Sequence, residues 1–299
     1  MSIPASDRLS PLRTVAHTLG FTEGPVWTAS GRLFVTSVNR GIVYEIFLDG
    51  RAPRVVAESG GGPNGMTLGA DGALWVTQNG GNAMPSRSLV PTSPGMQRIR
   101  VDAGTISSVP ISIPLTSPSD CVADDRGRVW FTDPNGHEFG QKALPGKVLR
   151  HDIATGVTES VLDEVYFPNG IALDAAGQFL YVAETARDRV SRYALTEDGI
   201  RASRSAQLRV DTPDGIAVDV DGGLWVAGSR SGKVSYFDPQ GNLMRSIDIG
   251  SGTMPTSVCF AGPGMTTLII TVAKGGRVLA VEIDVPGLTV PTTLPPFST

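Results

Sequence analysis

The apolar positions of this chain fall in short runs separated by turn residues, and six of the runs open on one pattern. Glu23-Gly-Pro-Val-Trp, Asn64-Gly-Met-Thr-Leu, Ser119-Asp-Cys-Val-Ala, Asn169-Gly-Ile-Ala-Leu, Asp214-Gly-Ile-Ala-Val and Thr256-Ser-Val-Cys-Phe each begin with a polar residue and continue mainly apolar. A glycine lies eight positions after every one of these polar residues, at Gly31, Gly72, Gly127, Gly177, Gly222 and Gly264. Glycine reaches positive φ without a steric penalty, so each is read as the turn of a β-hairpin. A second apolar segment follows each turn, from Leu33-Phe-Val in the first unit to Leu268-Ile-Ile in the last. Further segments such as Gly41-Ile-Val-Tyr-Glu-Ile and Arg277-Val-Leu-Ala-Val-Glu bring the units to four strands.

The six starting residues are spaced by 41, 55, 50, 45 and 42 positions, the length of a propeller blade rather than of a leucine-rich or helical repeat. No stretch of twelve or more residues carries a 3.6-residue apolar period, which leaves no room for a helical second domain. The pattern therefore predicts an all-β fold, a six-bladed β-propeller with four-stranded blades, as one domain over residues 1–299. Asn79 to Pro94, rich in Gly, Asn, Ser and Pro, reads as an extended loop able to cover one channel mouth. Leu12 to Leu19 is placed to supply the outer strand that closes the ring, and the Pro- and Thr-rich tail from Pro286 is expected to leave the last blade.

Composition agrees with many strands joined by tight turns, with 36 Gly and 22 Pro among 299 residues. Charge is nearly balanced, 25 basic against 29 acidic residues, and no Lys/Arg cluster is long enough to track a phosphate backbone, so nucleic acid is not an expected partner. No basic start leads into an apolar run and nowhere do eighteen apolar residues occur together, so a membrane is not expected either and the chain reads as cytoplasmic. Cys121 and Cys259 lie inside apolar runs and read as small core residues rather than a disulfide. Trp27, Trp75, Trp130 and Trp225 recur at blade positions and read as packing between blades.

In a propeller the innermost strand of each blade lines the central channel, so equivalent positions converge on one axis. Glu23, Asn64, Ser119, Asn169, Asp214 and Thr256 would then form a ring of two carboxylates, two amides and two hydroxyls. Such polar residues often do no more than bond backbone groups at strand starts. Two inward carboxylates in a narrow, dry channel repel each other, however, and a divalent cation is their natural neutralising partner. An oxygen-only set suits Ca²⁺ first, with Mg²⁺, Mn²⁺, Zn²⁺ or Fe²⁺ as alternatives.

Glu23-Gly-Pro-Val-Trp with Gly-Arg-Leu-Phe-Val, Phe167-Pro-Asn-Gly-Ile-Ala-Leu-Asp with Leu-Tyr-Val-Ala-Glu184-Thr, and Thr212-Pro-Asp-Gly-Ile-Ala-Val-Asp, in this order, resemble the gluconolactonase, regucalcin and luciferin-regenerating enzyme family. The resemblance runs over most of the chain. It implies a six-bladed propeller with one catalytic divalent cation held by Glu23, Asn169 and Asp214, with Asp214 also the general base. It implies, too, that Asn64, Ser119 and Asp120 contact a small-molecule substrate or its water. Thr256, as a ring member, and His137, after the second strand of the third blade, are further candidate substrate contacts. Two positions depart from the family: Ser119 stands where Asn is usual, and Ser117 where animal members carry Arg, which bears on sugar specificity.

The expected activity is metal-dependent hydrolysis of a small lactone. Phosphotriester hydrolysis of the diisopropylfluorophosphatase kind, a non-hydrolytic metal-assisted biosynthetic step, and a non-catalytic Ca²⁺- or protein-binding propeller are the alternatives. The sequence has no Gly-x-Ser-x-Gly elbow, no His-Glu-x-x-His and no phosphate-binding Gly loop with Lys-Ser/Thr.

Overall fold

The computed structural model describes residues 10–196 and 199–289, with the backbone alone for 199–205. Six four-stranded antiparallel sheets follow one another around a ring, and helical structure among the described residues is limited to two short 3₁₀ turns, Gly140–Lys142 and Thr185–Arg187. No helix among them is long and apolar enough to cross a membrane.

The six predicted starting segments become the inner strands Thr22–Trp27, Pro63–Leu68, Cys121–Ala123, Pro168–Leu173, Pro213–Val218 and Pro255–Ala261. Five of the six turn glycines take positive φ, between 61° and 84°. Gly264 does not. The last hairpin adds a ladder pair, Ala261 with Thr267, beyond the Phe260–Leu268 pair, so its turn falls on Gly262 and Met265, whose φ values are 84° and 54°. A longer hairpin shifts the turn without disturbing the ring end of the strand.

Second strands such as Leu33–Ser37, Leu74–Gln78, Leu224–Gly228 and Thr267–Val272 are buried at every residue, because a neighbouring blade covers each face. Their side chains meet across blades: Trp225 and Val234 of the fifth pack with Val258, Leu268 and Ile270 of the sixth. Fully burying one such side chain contributes on the order of 1.5–3 kcal/mol. Trp75, Trp130 and Trp225 are buried, as expected of packing residues. The outer strand Thr105–Ser108 of the second blade is exposed at all four positions.

The sixth sheet is completed from the start of the chain. Arg13–Ala16 pairs antiparallel with Arg277–Glu282, as predicted for the ring closure. The segment 286–289 does not simply leave that blade but bridges it to the fifth: Gly287 N–H donates to Met265 O at 2.9 Å, while Val220 N–H donates to Pro286 O at 2.9 Å and Leu288 N–H to Val218 O at 3.1 Å. The tail beyond it lies outside the described residues.

Residues 79–94 lie back over the first blade and its connector. Arg87 N–H donates to Asn39 O at 2.8 Å, Thr92 Oγ1 to Ser59 O at 3.2 Å, and Ser86 Oγ to Gly61 O. Asn82 Nδ2 reaches the other way, donating to Thr116 O at 2.7 Å, and a second segment that reaches across blades, 134–144, is described below.

Candidate active site

The start of each inner strand abuts the next, which carries six distant sequence positions to one axis. A β-carbon on Gly24 would collide with the Asn64 carbonyl, one on Gly65 with Asp120, one on Gly170 with the Asp214 carbonyl and one on Gly215 with Ser257. Glycine after the ring residue thus permits the close approach in four blades. The other two junctions are side-chain bonds: Asp120 Oδ2 accepts from Ile171 N–H at 3.3 Å, and Thr256 Oγ1 donates to Thr22 O at 2.7 Å.

A repeated threonine on the second strand locks the ring further. Thr36 Oγ1 donates to Asn64 O at 2.6 Å, Thr132 Oγ1 to Asn169 O at 2.8 Å, and Thr77 Oγ1 to Ser119 O. These three clamps were readable in the sequence as the residue after Phe-Val, Val-Trp-Phe and Trp-Val, and the ring alone did not call attention to them.

Within the ring, Asn64 Nδ2 donates to Ser119 Oγ at 3.4 Å and Ser119 Oγ donates to Asn169 Oδ1 at 2.8 Å. The serine that replaces the usual asparagine therefore ties its two amide neighbours together and fixes which end of the Asn169 amide is oxygen. Thr256 is fully buried and shares its hydroxyl between Thr22 O and Thr271 Oγ1, so it seals the ring.

The opposite arc is acidic. Glu23 and Asp214 are buried, and both carboxyls are held well above the ordinary range. Burial is the larger cause in each, followed for Glu23 by the charges of Asp214 and Asp120, and for Asp214 by that of Asp120. Burial likewise pushes Asp120 up to about 7, against N–H bonds from Cys121 at 2.8 Å and from Ile171. Three carboxylates from the first, third and fifth blades thus share one dry space and interact electrostatically. Among the described residues no group of three or more His, Cys, Asp or Glu is spaced to hold a metal ion. A cation here would rest on two carboxylates completed by amide oxygen, the donor set Glu23, Asp214 and Asn169.

His137 belongs to the segment 134–144, which leaves the third blade at the ring end and passes over the fourth. The imidazole stands edge-on to Phe167, ring centres 4.9 Å apart at 88°, and burial lowers its pKa, so it is neutral at pH 7. Phe139 meets the same ring at 5.6 Å, and the Arg230 guanidinium of the fifth blade lies 4.5 Å from Phe139. Arg187 fastens the segment by donating to Gly140 O at 2.8 Å while lying 3.9 Å over Tyr166. Phe139 and Arg230 went unremarked in the sequence because no repeat position links them, and Phe167 was read only as part of its motif. Glu184 is buried and engaged by Arg189 and Ser191, a structural ion pair rather than a free acid.

Below the ring the channel turns apolar. A cavity of about 310 Å³ at the hairpin end is lined by Val26, Met66, Cys121, Ile171, Val258 and Leu288, among others. Both cysteines are free.

Comparison with known proteins bears on what this ring does. The family model described as the SMP-30/Gluconolactonase/LRE-like region matches residues 21–274. Among curated proteins, a gluconolactonase of Zymomonas mobilis is 25% identical over 296 residues, covering 88% of this chain and 79% of that protein. The pentonolactonase XacC of Haloferax volcanii is 27% identical over 269 residues, covering 88% and 85%. Among solved structures, a calcium-binding protein, regucalcin, from Agrobacterium tumefaciens superposes with a TM-score of 0.76 at 19% identity, covering 95% and 97%, which supports the fold.

Proposed function

This chain belongs to the SMP-30/gluconolactonase/LRE-like family, and we propose that it is a lactonase, adding water across the ester bond of a small cyclic ester to give the open hydroxy acid. One observation carries the reading most: buried carboxylates from three blades meet at the ring end of the channel beside two amides bridged by the Ser119 hydroxyl.

The residues present fit a divalent cation. Buried acids that repel one another are driven toward the protonated form, and a doubly positive ion relieves both the repulsion and the lost hydration. When bound, a divalent cation, Ca²⁺ first and Mg²⁺, Mn²⁺, Zn²⁺ or Fe²⁺ as alternatives, would neutralise the acids and polarise a lactone carbonyl.

The chain's own groups then divide the work. Glu23 and Asn169 are the holding residues, the Asn169 oxygen being aimed by the Ser119 hydroxyl. Asp214 takes a proton from the attacking water as its oxygen bonds to the carbonyl carbon. The ring C–O bond then breaks, and the departing alkoxide takes up a proton to become the product hydroxyl. Asp120, fixed by the Cys121 and Ile171 amides, orients water or substrate beside Asp214. Asn64 keeps its amide oxygen free to position the substrate while its nitrogen bonds Ser119.

The test is a pH-indicator screen of five- and six-membered lactones with protein stripped by chelator and reloaded with each cation in turn. At least one loaded form is expected to open a lactone that the stripped protein does not. Failure of every pairing would overturn the reading.

A further inference from the structure

Resting on the lactonase reading, we infer that the lactone this chain opens carries an aryl or alkyl substituent, seated against an aromatic wall above the ring that presents Phe139 and His137 and is backed by the buried Phe167.

Position is the first ground. Phe167 stands two residues before Asn169, and its carbonyl accepts from Thr185 N–H at 3.1 Å. Its φ of 50° is shared by Thr212 and Met254 at the same repeat position, at 43° and 62°, so the entry to the inner strand sets where its ring stands. Onto this ring the segment 134–144 lays His137 and Phe139, and Arg230 lies over Phe139 from the blade that carries Asp214. The wall therefore spans the fourth and fifth blades, the two that supply Asn169 and Asp214.

Chemistry is the second ground. Phe139 is 40% exposed and neutral His137 sits beside the same ring, so part of an aromatic surface is left facing outward. Leu144, which ends the segment, and Met254, two residues before Thr256, continue an apolar rim on the same face at 55% and 42% exposure.

A polyhydroxylated lactone would need the opposite equipment. The ring hydroxyls of Ser119 and Thr256 are engaged by neighbours, and the Ser117 hydroxyl is buried away from solvent. Arg187 and Arg230 lie over aromatic rings. A planar or greasy substituent would find edges and faces to pack on, while sugar hydroxyls would lose water on the apolar side with few replacements.

The experiment compares kcat/KM for a benzo-fused δ-lactone, 3,4-dihydrocoumarin, with that for glucono-δ-lactone, in cation-loaded wild type and in Phe139→Ala and Phe139→Leu. Wild type is expected to favour the benzo-fused lactone at least tenfold, Phe139→Ala to cut that ratio about tenfold, and Phe139→Leu to cut it less. A wild-type preference for glucono-δ-lactone, or a ratio indifferent to Phe139, overturns the inference and leaves the lactonase reading standing. Should neither lactone be opened, the lactonase reading is left to the wider screen, and calorimetry with the corresponding lactams decides the inference. Tighter binding of the benzo-fused lactam upholds it; tighter binding of gluconolactam, or binding of neither, overturns it.

Discussion

At the end of the central channel where the six inner strands begin, the lining is carboxylate, amide and hydroxyl; at the end where they turn back, it is Val26, Met66, Ile171 and Val258 around an apolar cavity. The same strands build both ends, so the difference lies in repeat position alone, the first residue of the unit against those two and three places later. The upper end is held against its own preference, since buried like charges oppose folding. The lower end contributes apolar burial, and of the acids that line it, Asp124 and Asp174 accept from hairpin N–H groups. On the proposed function turnover depends on the end where stability is sacrificed, so substitutions at the two ends should separate turnover from melting.

The largest separation is expected from Asp214→Asn. Loss of a general base lowers turnover by roughly 10²–10⁴, while removing one of the buried acids should leave the metal-free fold as stable or more so. Steady-state kinetics and urea denaturation of the same preparation check both halves, and unchanged turnover would reassign the base. Met66→Ala probes the other end. It should destabilise by about 2–5 kcal/mol through the space it vacates, with turnover kept within a few-fold; a large loss of activity would mean that the two ends are coupled.

Ser119→Ala sharpens the view of the upper end. Cutting the Asn64–Ser119–Asn169 bridge removes hydrogen bonds worth about 1 kcal/mol each, so kcat/KM should fall about tenfold, and metal affinity read by calorimetry should weaken in parallel. A fall in activity with affinity intact would limit the serine to substrate contact.

The smallest effect is a pH slope. Asp120 titrates near 7 in the fold and near 4 when unfolded. A carboxyl whose pKa is raised by folding favours the folded state below its unfolded value, and that benefit is lost as pH climbs through the folded value. Metal-free protein should accordingly lose ground to Asp120→Asn between about pH 4 and 7, with little further change above. Taking this difference isolates the group from His137 and His151, whose lowered pKa values act in the opposite sense inside that window. Thermal melts of both proteins in chelator, with and without added Ca²⁺, read the slope; a difference that shrinks with rising pH would contradict it.

The blade count, the ring and the closing strand are legible in the sequence because each is periodic or flanks something periodic. Glu23, Asn169 and Asp214 stand at one repeat position, and a repeat position in a propeller is also a spatial one. The sixth turn escaped because Gly264 keeps the sequence spacing while the hairpin gains a rung. The aromatic wall escaped for a deeper reason. Phe139 meets Phe167 and Arg230 from three different blades, through loops whose lengths share no period, and such contacts exist only once the ring has closed. The loop composition of residues 79–94 announced a long excursion but not its direction, which is set by bonds to Asn39, Ser59 and Gly61.

The pairing of Arg13–Ala16 with Arg277–Glu282 makes the molecule a clasped bracelet. Its fastening joins positions more than two hundred and fifty residues apart, so the last sheet can be finished only after nearly all the others exist, and loop-closure entropy makes that step a late one. Tension applied to both ends would load this single strand pair before any blade, and trimming the first sixteen residues would leave an open seam along the sixth sheet, inviting another chain to zip in.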